Sequence, residues 1–397
     1  MLFLRLVFLV LLLCWVTPAW GMIGDTDGTF GVDGSARMLL LGARGMPNAG
    51  QGAHDALTQG NFRFLLGGKP TDWFDFEINA VMSTTVATAG LSRSMRTRGG
   101  WIRNRTVDTR WEWIDEELSE SDIYSMGFID RANLKIKHEL LDITIGRQAI
   151  SFGTGFFWNP LDVFRPFGAT QFDRDYKGGV DALRVDIPVG DFSGLTLVGV
   201  AGRDVKEASW LRSSVLLRGY TTFHGWDLTA QGGKIFGGYQ LGGAIAGDVH
   251  GVSVLSELSW YQPDSQDISP AYGMGVVGVG YRFLSGLYLG MEYLYNGLVM
   301  TRELEGFREN SSHQLFEALN QSGRLMHISG NLLGSLAQYE FIPILSGSFV
   351  VLYSLSDKSL LVQPGLSLSI SDESDLVVGG MIPYGNSEEI TEFGSLP

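Results

Sequence analysis

FDFEINA, residues Phe74 to Ala80, puts two chemically different faces on one short stretch. Phe74, Phe76, Ile78 and Ala80 fall on one side of a period-2 repeat, and Asp75, Glu77 and Asn79 fall on the other. That is the alternation of a strand with an apolar medium on one face and a polar space on the other. The pattern recurs along most of the chain. Leu134 and Ile136 oppose Arg131, Asn133, Lys135 and Lys137, while Leu183, Val185 and Ile187 oppose Arg184 and Asp186. Phe349, Val351, Tyr353 and Leu355 oppose Ser348, Ser354 and Ser356. Each run approaches the 9 to 11 residues, roughly, that a strand needs to cross a bilayer.

Composition agrees with this reading. The 397 residues include 53 glycines, and only 18% are charged, against about 25% in ordinary soluble domains. A hydrophobic fraction of 45% and a mean hydropathy of +0.09 fall short of a helical membrane protein. After residue 21 no apolar run is long enough for a spanning helix. The net charge of −14 argues against nucleic acid as a partner, since that needs a basic face.

Residues 1–21 have the form of an export leader: Arg5, an apolar stretch Leu6 to Val16, then Ala19-Trp20-Gly21, with cleavage expected before Met22. Cys14, the single cysteine, lies inside that leader, so the mature chain has no disulfide or thiolate chemistry.

The expected fold is all-β: a transmembrane antiparallel barrel of about 16–18 strands spanning residues 22–397, with a long loop folded into the lumen. Strand centres fall near residues 39, 63, 78, 132, 145, 183, 197, 214, 230, 243, 256, 277, 292, 335, 351, 365 and 379. Short turns at Gly67–Thr71, Glu139–Leu141, Pro188–Ser193, Asp248–Gly251, Pro343–Ser346 and Asp372–Asp375 alternate with long polar segments such as Thr85–Ile123, Ser151–Lys177 and Leu298–Arg324. Val107–Ile114, with Trp111 and Trp113, is assigned to a loop, and Leu315–Asn320 could form a helical turn. Seventeen strands is an odd count, whereas single-chain bacterial barrels have even ones. The chain is therefore expected to lack a last strand of about ten residues.

Trp260, Tyr261, Tyr281, Phe283, Tyr288, Tyr293, Tyr295, Tyr339, Phe341 and Tyr384 lie near strand ends, as interfacial girdles do. A charge facing lipid costs about 2 to 4 kcal/mol at the bilayer midplane, so Asp75, Glu77, Arg131, Lys135, Lys137 and Arg184 are expected to line the lumen. Arg212, Arg218, Arg282, Glu257 and Glu292 join them.

Enzymatic signals are weak. Gly273-Met-Gly275-Val-Val-Gly278 matches a dinucleotide fingerprint but lies inside an alternating strand with no helix to follow. The six histidines show no metal-ligand spacing and are expected in loops or at interfaces. No nucleophile elbow is present, and no cofactor is expected. The acidic run Asp115-Glu116-Glu117 to Asp122 is read as solvated.

The segment Asp142 to Phe167, DITIGRQAISFGTGFFWNPLDVFRPF, begins as a strand and then changes. Gly153, Gly155, Asn159, Pro160 and Pro166 break the alternation, while Phe152, Phe156, Phe157, Trp158, Phe164 and Phe167 keep it apolar. A loop this aromatic is enclosed. Gly146 to Pro188 resembles a signature of largely uncharacterised Gram-negative outer-membrane porin-like barrels: GRQ, an FGxG, WNPxDxF, then DRDYKxGVDALR. The resemblance implies an outer-membrane barrel whose long loop enters the lumen. Arg147, Phe152, Phe157, Trp158, Asn159, Pro160, Asp162, Arg165, Asp173, Arg174 and Asp175 are the candidate constriction residues.

The function expected is passive diffusion of small solutes or ions, with outer-membrane lipid as the surroundings. Export or assembly of a polysaccharide or other polymer, and a plugged structural barrel, are the alternatives. Whether barrels associate as a homo-oligomer is open.

Overall fold

The computed structural model describes residues 9–15, 23–24, 29–44, 54–87, 105–114, 122–164, 166–169, 176–204, 207–265, 269–300, 326–386 and 391–394. Eighteen strands make the wall: β1 Leu9–Trp15, β2 Phe30–Arg44, β3 His54–Thr71, β4 Phe74–Ala87, β5 Asp122–His138, β6 Leu141–Gln148, β7 Val180–Pro188, β8 Ser193–Val200 and β9 Ser214–Phe223, then β10 Trp226–Ile235, β11 Gly238–Val249, β12 Val252–Pro263, β13 Tyr272–Arg282, β14 Tyr288–Asn296, β15 Asn331–Ile342, β16 Leu345–Ser354, β17 Leu360–Ser371 and β18 Ser374–Tyr384. Each pairs antiparallel with its neighbour in sequence from β2 to β18, and every strand centre expected from the sequence falls inside one of them.

The ring closes through β1. Leu9–Trp15 pairs antiparallel with β18 on one side and with β2 on the other. β2 and β18 are therefore parallel to each other, and an antiparallel wall needs one strand between them.

The alternation sorts the two faces. Phe62, Phe64, Ile78, Leu134, Ile145 and Leu183 are exposed on the outside, at 41–64%. An apolar exterior this continuous has no place in water. Trp260, Tyr281, Phe283, Tyr293, Tyr295, Phe341 and Tyr384 are exposed with them. Tyr261 departs from the expected girdle. It is 5% exposed, because odd-numbered residues of β12 point inward.

Two further expectations are corrected. The first turn is Asp72–Trp73 rather than Gly67–Thr71, because β3 stays paired with β4 up to Thr71 opposite Phe74. Trp111–Ile114 is a short strand on β5, opposite Tyr124 to Gly127. It continues the row that β6 leaves, since β6 pairs only with Ala132 to His138 and stops at Gln148. His327 lies in the segment 326–330 ahead of β15, as a loop residue, and is buried there. The region of Leu315–Asn320, residues 115–121 of the acidic run, and Arg165, Asp173, Arg174 and Asp175 lie outside the described residues.

Turns and longer segments alternate along the wall. The short connections 72–73, 139–140, 189–192, 224–225, 250–251, 283–287, 343–344 and 372–373 share one rim, and β6 and β14 end at the other.

Candidate functional site

The chain leaves the wall where β6 stops, and the described residues 149–164, 166–169 and 176–179 fold inward. Asn159 organises the turn: its side-chain oxygen accepts from the N–H of Gly155 at 2.7 Å, and its carbonyl accepts from the N–H of Asp162 at 3.0 Å. Gly153 has φ +141°, and a Cβ there would lie 2.5 Å from Asn159 Oδ1, so only glycine fits.

Two carboxylates on the inner wall hold the loop. Glu257 of β12, fully buried, accepts from the Thr154 N–H, from its hydroxyl at 2.9 Å and from the Leu161 N–H at 3.3 Å. Glu292 of β14 accepts from the N–H groups of Phe156, Phe157 (2.8 Å) and Trp158 (3.4 Å). A loop crossing a lumen carries N–H groups that no strand can satisfy, and a carboxylate serves several of them with charge-assisted bonds. Amide side chains take the carbonyls: Gln231 Nε2 donates to Leu161 O at 2.9 Å, and Gln240 Nε2 to Pro160 O at 3.1 Å.

Packing seats the same residues. Phe157 and Trp158 join Val276, Leu294, Leu332, Leu336, Leu352 and Leu361 in one buried cluster, and Phe152 and Phe164 join Val180, Val198, Val200 and Leu216 in a second. The wall is hollowed to receive them. A Cβ at Gly334 would lie 2.6 Å from the Phe157 ring, and one at Gly242 would lie 2.5 Å from Leu161.

The turn of the loop is tied by charge to the segment that returns to β7. Lys177 Nζ lies 2.5 Å from Asp162 Oδ1, and both side chains are buried. Burial pushes the Asp162 carboxyl up to about 6, against the pull of Lys177 and the hydrogen bond from Ser151. The loop tip is held by His327, whose Nε2 accepts from Trp158 Nε1 at 3.0 Å and whose Nδ1 lies 2.6 Å from Glu392. Glu392 also accepts from the N–H groups of Ile328 and Ser329. In the 355–359 turn, burial alone would raise the Asp357 carboxyl. Hydrogen bonds from Ser359, the Glu392 N–H and Ser354 outweigh it and hold the group below the usual carboxylate range.

The wall charges Asp75, Glu77, Arg131, Lys135, Lys137 and Arg184 are paired. Lys137 meets Asp75 and Lys135 meets Asp142, both at 2.6 Å; Arg131 meets Glu77 at 3.1 Å and Arg184 meets Asp186 at 2.7 Å. These side chains keep 20–36% of their surface in solvent. Arg218 of β9 lies over the Phe152 and Tyr220 rings at 5.2 Å and donates to Thr229.

Arg147 occupies another place. It lies in β6, and its register with Ala132 and Asp181 puts it on the face opposite Gly146 and Ala182. There it binds Asp181 at 2.7 Å, Thr109 Oγ1 at 2.9 Å and the carbonyl of Val107 at 2.6 Å, holding residues 106–109 over the row that β6 vacates.

No family model and no curated protein matches the sequence. Among solved structures, the chain is similar to a Salmonella typhi OmpF in complex with daunomycin, at 11% identity and TM-score 0.46 over 91% of this chain and 99% of that one. It is also similar to a triple mutant of the Rhodopseudomonas blastica porin, at 11% identity and TM-score 0.44 over 89% and 100%. The reading of the site rests on its own geometry.

The anchors Glu257, Glu292, His327 and Glu392 are roles that sequence reasoning missed, as is the cluster around Asp130. A register shift between Asn79 and Ala80 leaves Asp130 as the extra residue of a bulge, 2% exposed. It accepts from Arg105 at 2.6 Å and Arg63 at 3.1 Å, and the Tyr176 ring lies 4.1 Å from Arg63 and 4.8 Å from Arg37. The available signal was an isolated carboxylate on an inner face among aliphatic residues, as Glu292 is between Leu294 and Gly290.

Proposed function

We propose that this protein is an outer-membrane channel passing small solutes or ions by passive diffusion, narrowed by residues 149–164. The carrying observation is the division of the wall: apolar side chains outside, and inside it paired charges that keep contact with solvent while the loop is fastened to β12 and β14. Phe152, Phe157, Trp158, Asn159, Pro160 and Asp162 form the shelf; Asp75, Glu77, Arg131, Lys135, Lys137 and Arg184 line the path on either side of neutral. The rim carrying the longer loops faces outward. Balanced pairs of this kind predict weak charge selection, since each cation has a carboxylate beside it.

A closed structural barrel is the second reading, favoured by Asn79 at 0% and Asp130 at 2% exposure midway along their strands. Single-channel conductance in planar bilayers decides between them, comparing the intact barrel with one lacking Gly153–Gly168. Steady conductance that grows on deletion supports the channel. Silence in both forms leaves the closed barrel.

A further inference from the structure

We propose that His327 is a proton-operated release for the tip of the inward loop. One lone pair there has two claimants. Nε2 of His327 accepts the indole N–H of Trp158 at 3.0 Å, which it can do only while that nitrogen carries no proton. Nδ1 lies 2.6 Å from Glu392, whose carboxylate also accepts from the N–H groups of Ile328 and Ser329. Glu392 is thus fixed beside the ring in both of its forms. A proton arriving at Nε2 makes the ring a cation already facing that carboxylate. The same proton sets two N–H donors face to face, and the bond to the indole is lost.

The surroundings suit such an exchange. Histidine is the side chain that ordinarily changes charge in mild acid. A cavity of about 110 Å³ lined by Trp158, Asn159, Met326 and His327 reaches the ring pair, and a water molecule needs only about 10–15 Å³, so a proton has a route. The other ionisable groups facing the ring, taken element by element, are engaged elsewhere. Asp162 on the loop binds Lys177, and Asp357 in the 355–359 turn accepts from the Glu392 N–H and from Ser329. Glu292 on β14 holds the backbone N–H of Trp158 rather than its indole, and Tyr261 of β12 and Tyr272 of β13 line the same cavity. Among these groups none is bonded to Nε2.

Acid therefore loosens the tip without unseating the loop. Glu257 and Glu292 still hold its backbone, and Phe157 stays packed in the wall cluster. The tip is tied at neutral pH and swings more often below the histidine transition.

The release rests on the channel reading only for its effect on current, so its first test is a spectrum. The full chain in detergent would carry 5-fluorotryptophan and nitrogen-labelled histidine, with Trp158→Phe and His327→Gln identifying the two signals. Between about pH 7.5 and about pH 5 the Trp158 resonance should move with the same midpoint as His327 Nε2. In His327→Gln, whose amide oxygen takes the indole N–H but does not titrate, that resonance should stay fixed, while in Asp162→Asn the transition should persist. In planar bilayers, acid on the outer side should raise the frequency of excursions to a larger level roughly five-fold, the effect of one lost hydrogen bond. An Nε2 that stays unprotonated down to about pH 5, or a Trp158 resonance that ignores His327 protonation, overturns the release, and both are read on the unaltered chain. So does a resonance that still moves in folded His327→Gln. A silent bilayer with the two resonances still coupled would instead remove the channel and leave the release standing.

Discussion

The indole N–H of Trp158 donates to Nε2 of His327 at 3.0 Å, joining the tip of the inward loop to the segment that precedes β15. Tryptophan can only donate, so Nε2 is the acceptor and Nδ1 carries the proton that faces Glu392. Trp158→Phe keeps a ring against Phe157 but leaves His327 Nε2 and the Glu392 chain without their donor. A loss of about 1–3 kcal/mol is expected. It would appear as a lower urea midpoint with an unchanged slope, and an unchanged midpoint would refute the tie.

Glu292 should act as a latch on the shelf. Glu292→Gln retains one acceptor oxygen but turns an amide N–H toward the N–H groups of Phe156 to Trp158. A cost of about 1.5–3 kcal/mol to loop seating is expected for each charge-assisted bond lost. In planar bilayers the variant should show larger and noisier steps, while wild-type current traces would sink the latch.

Arg218 should set what charge preference there is. It lies over the Phe152 and Tyr220 rings and donates to Thr229, whereas Arg131 and Arg184 each face a carboxylate. Arg218→Glu is expected to move the reversal potential in a salt gradient toward cations. Neutralising Arg184 should change stability by no more than about 1 kcal/mol, because its pair is partly exposed. A reversal potential indifferent to residue 218 would mean that ions pass elsewhere.

Asp162 gives a pH signature of known sign. Its carboxyl titrates near 6 in the folded protein against an ordinary value of 3.8, so between those limits the folded state holds more protons than the unfolded one. This group's contribution to stability therefore grows as pH falls from about 6 toward 3.8, and is lost as pH rises through 6. Asp162→Asn should flatten that part of the profile. Unfolding midpoints at pH 7 and pH 5 for both proteins test it; parallel profiles would contradict the burial argument.

The wall was legible in the sequence and the fastening was not. Alternation at Phe74–Ala80, or at Leu134 and Ile136 against Arg131 and Lys135, is local, and a period of two needs only a few residues to declare itself. Trp111–Ile114 was misread because four residues are too few for that, and because the strand pairs in a row its own neighbours do not suggest. Glu257 and Glu292 were recognised as inward charges, yet their partners are backbone N–H groups 96 to 136 positions away. No side-chain pattern announces such a pairing. Asp130 faced Arg63 and Arg105 only because a bulge displaced the register, which alternation cannot foresee.

Those same separations impose an order in time. Residues 149–164 leave the wall after β6, but Glu257, Glu292, His327 and Glu392 arrive on strands and segments made later in the chain. Contacts of such long range pay loop-closure entropy before they return any stability. The shelf cannot seat until β12 and β14 stand in place. During assembly the lumen is thus wide first and narrowed last.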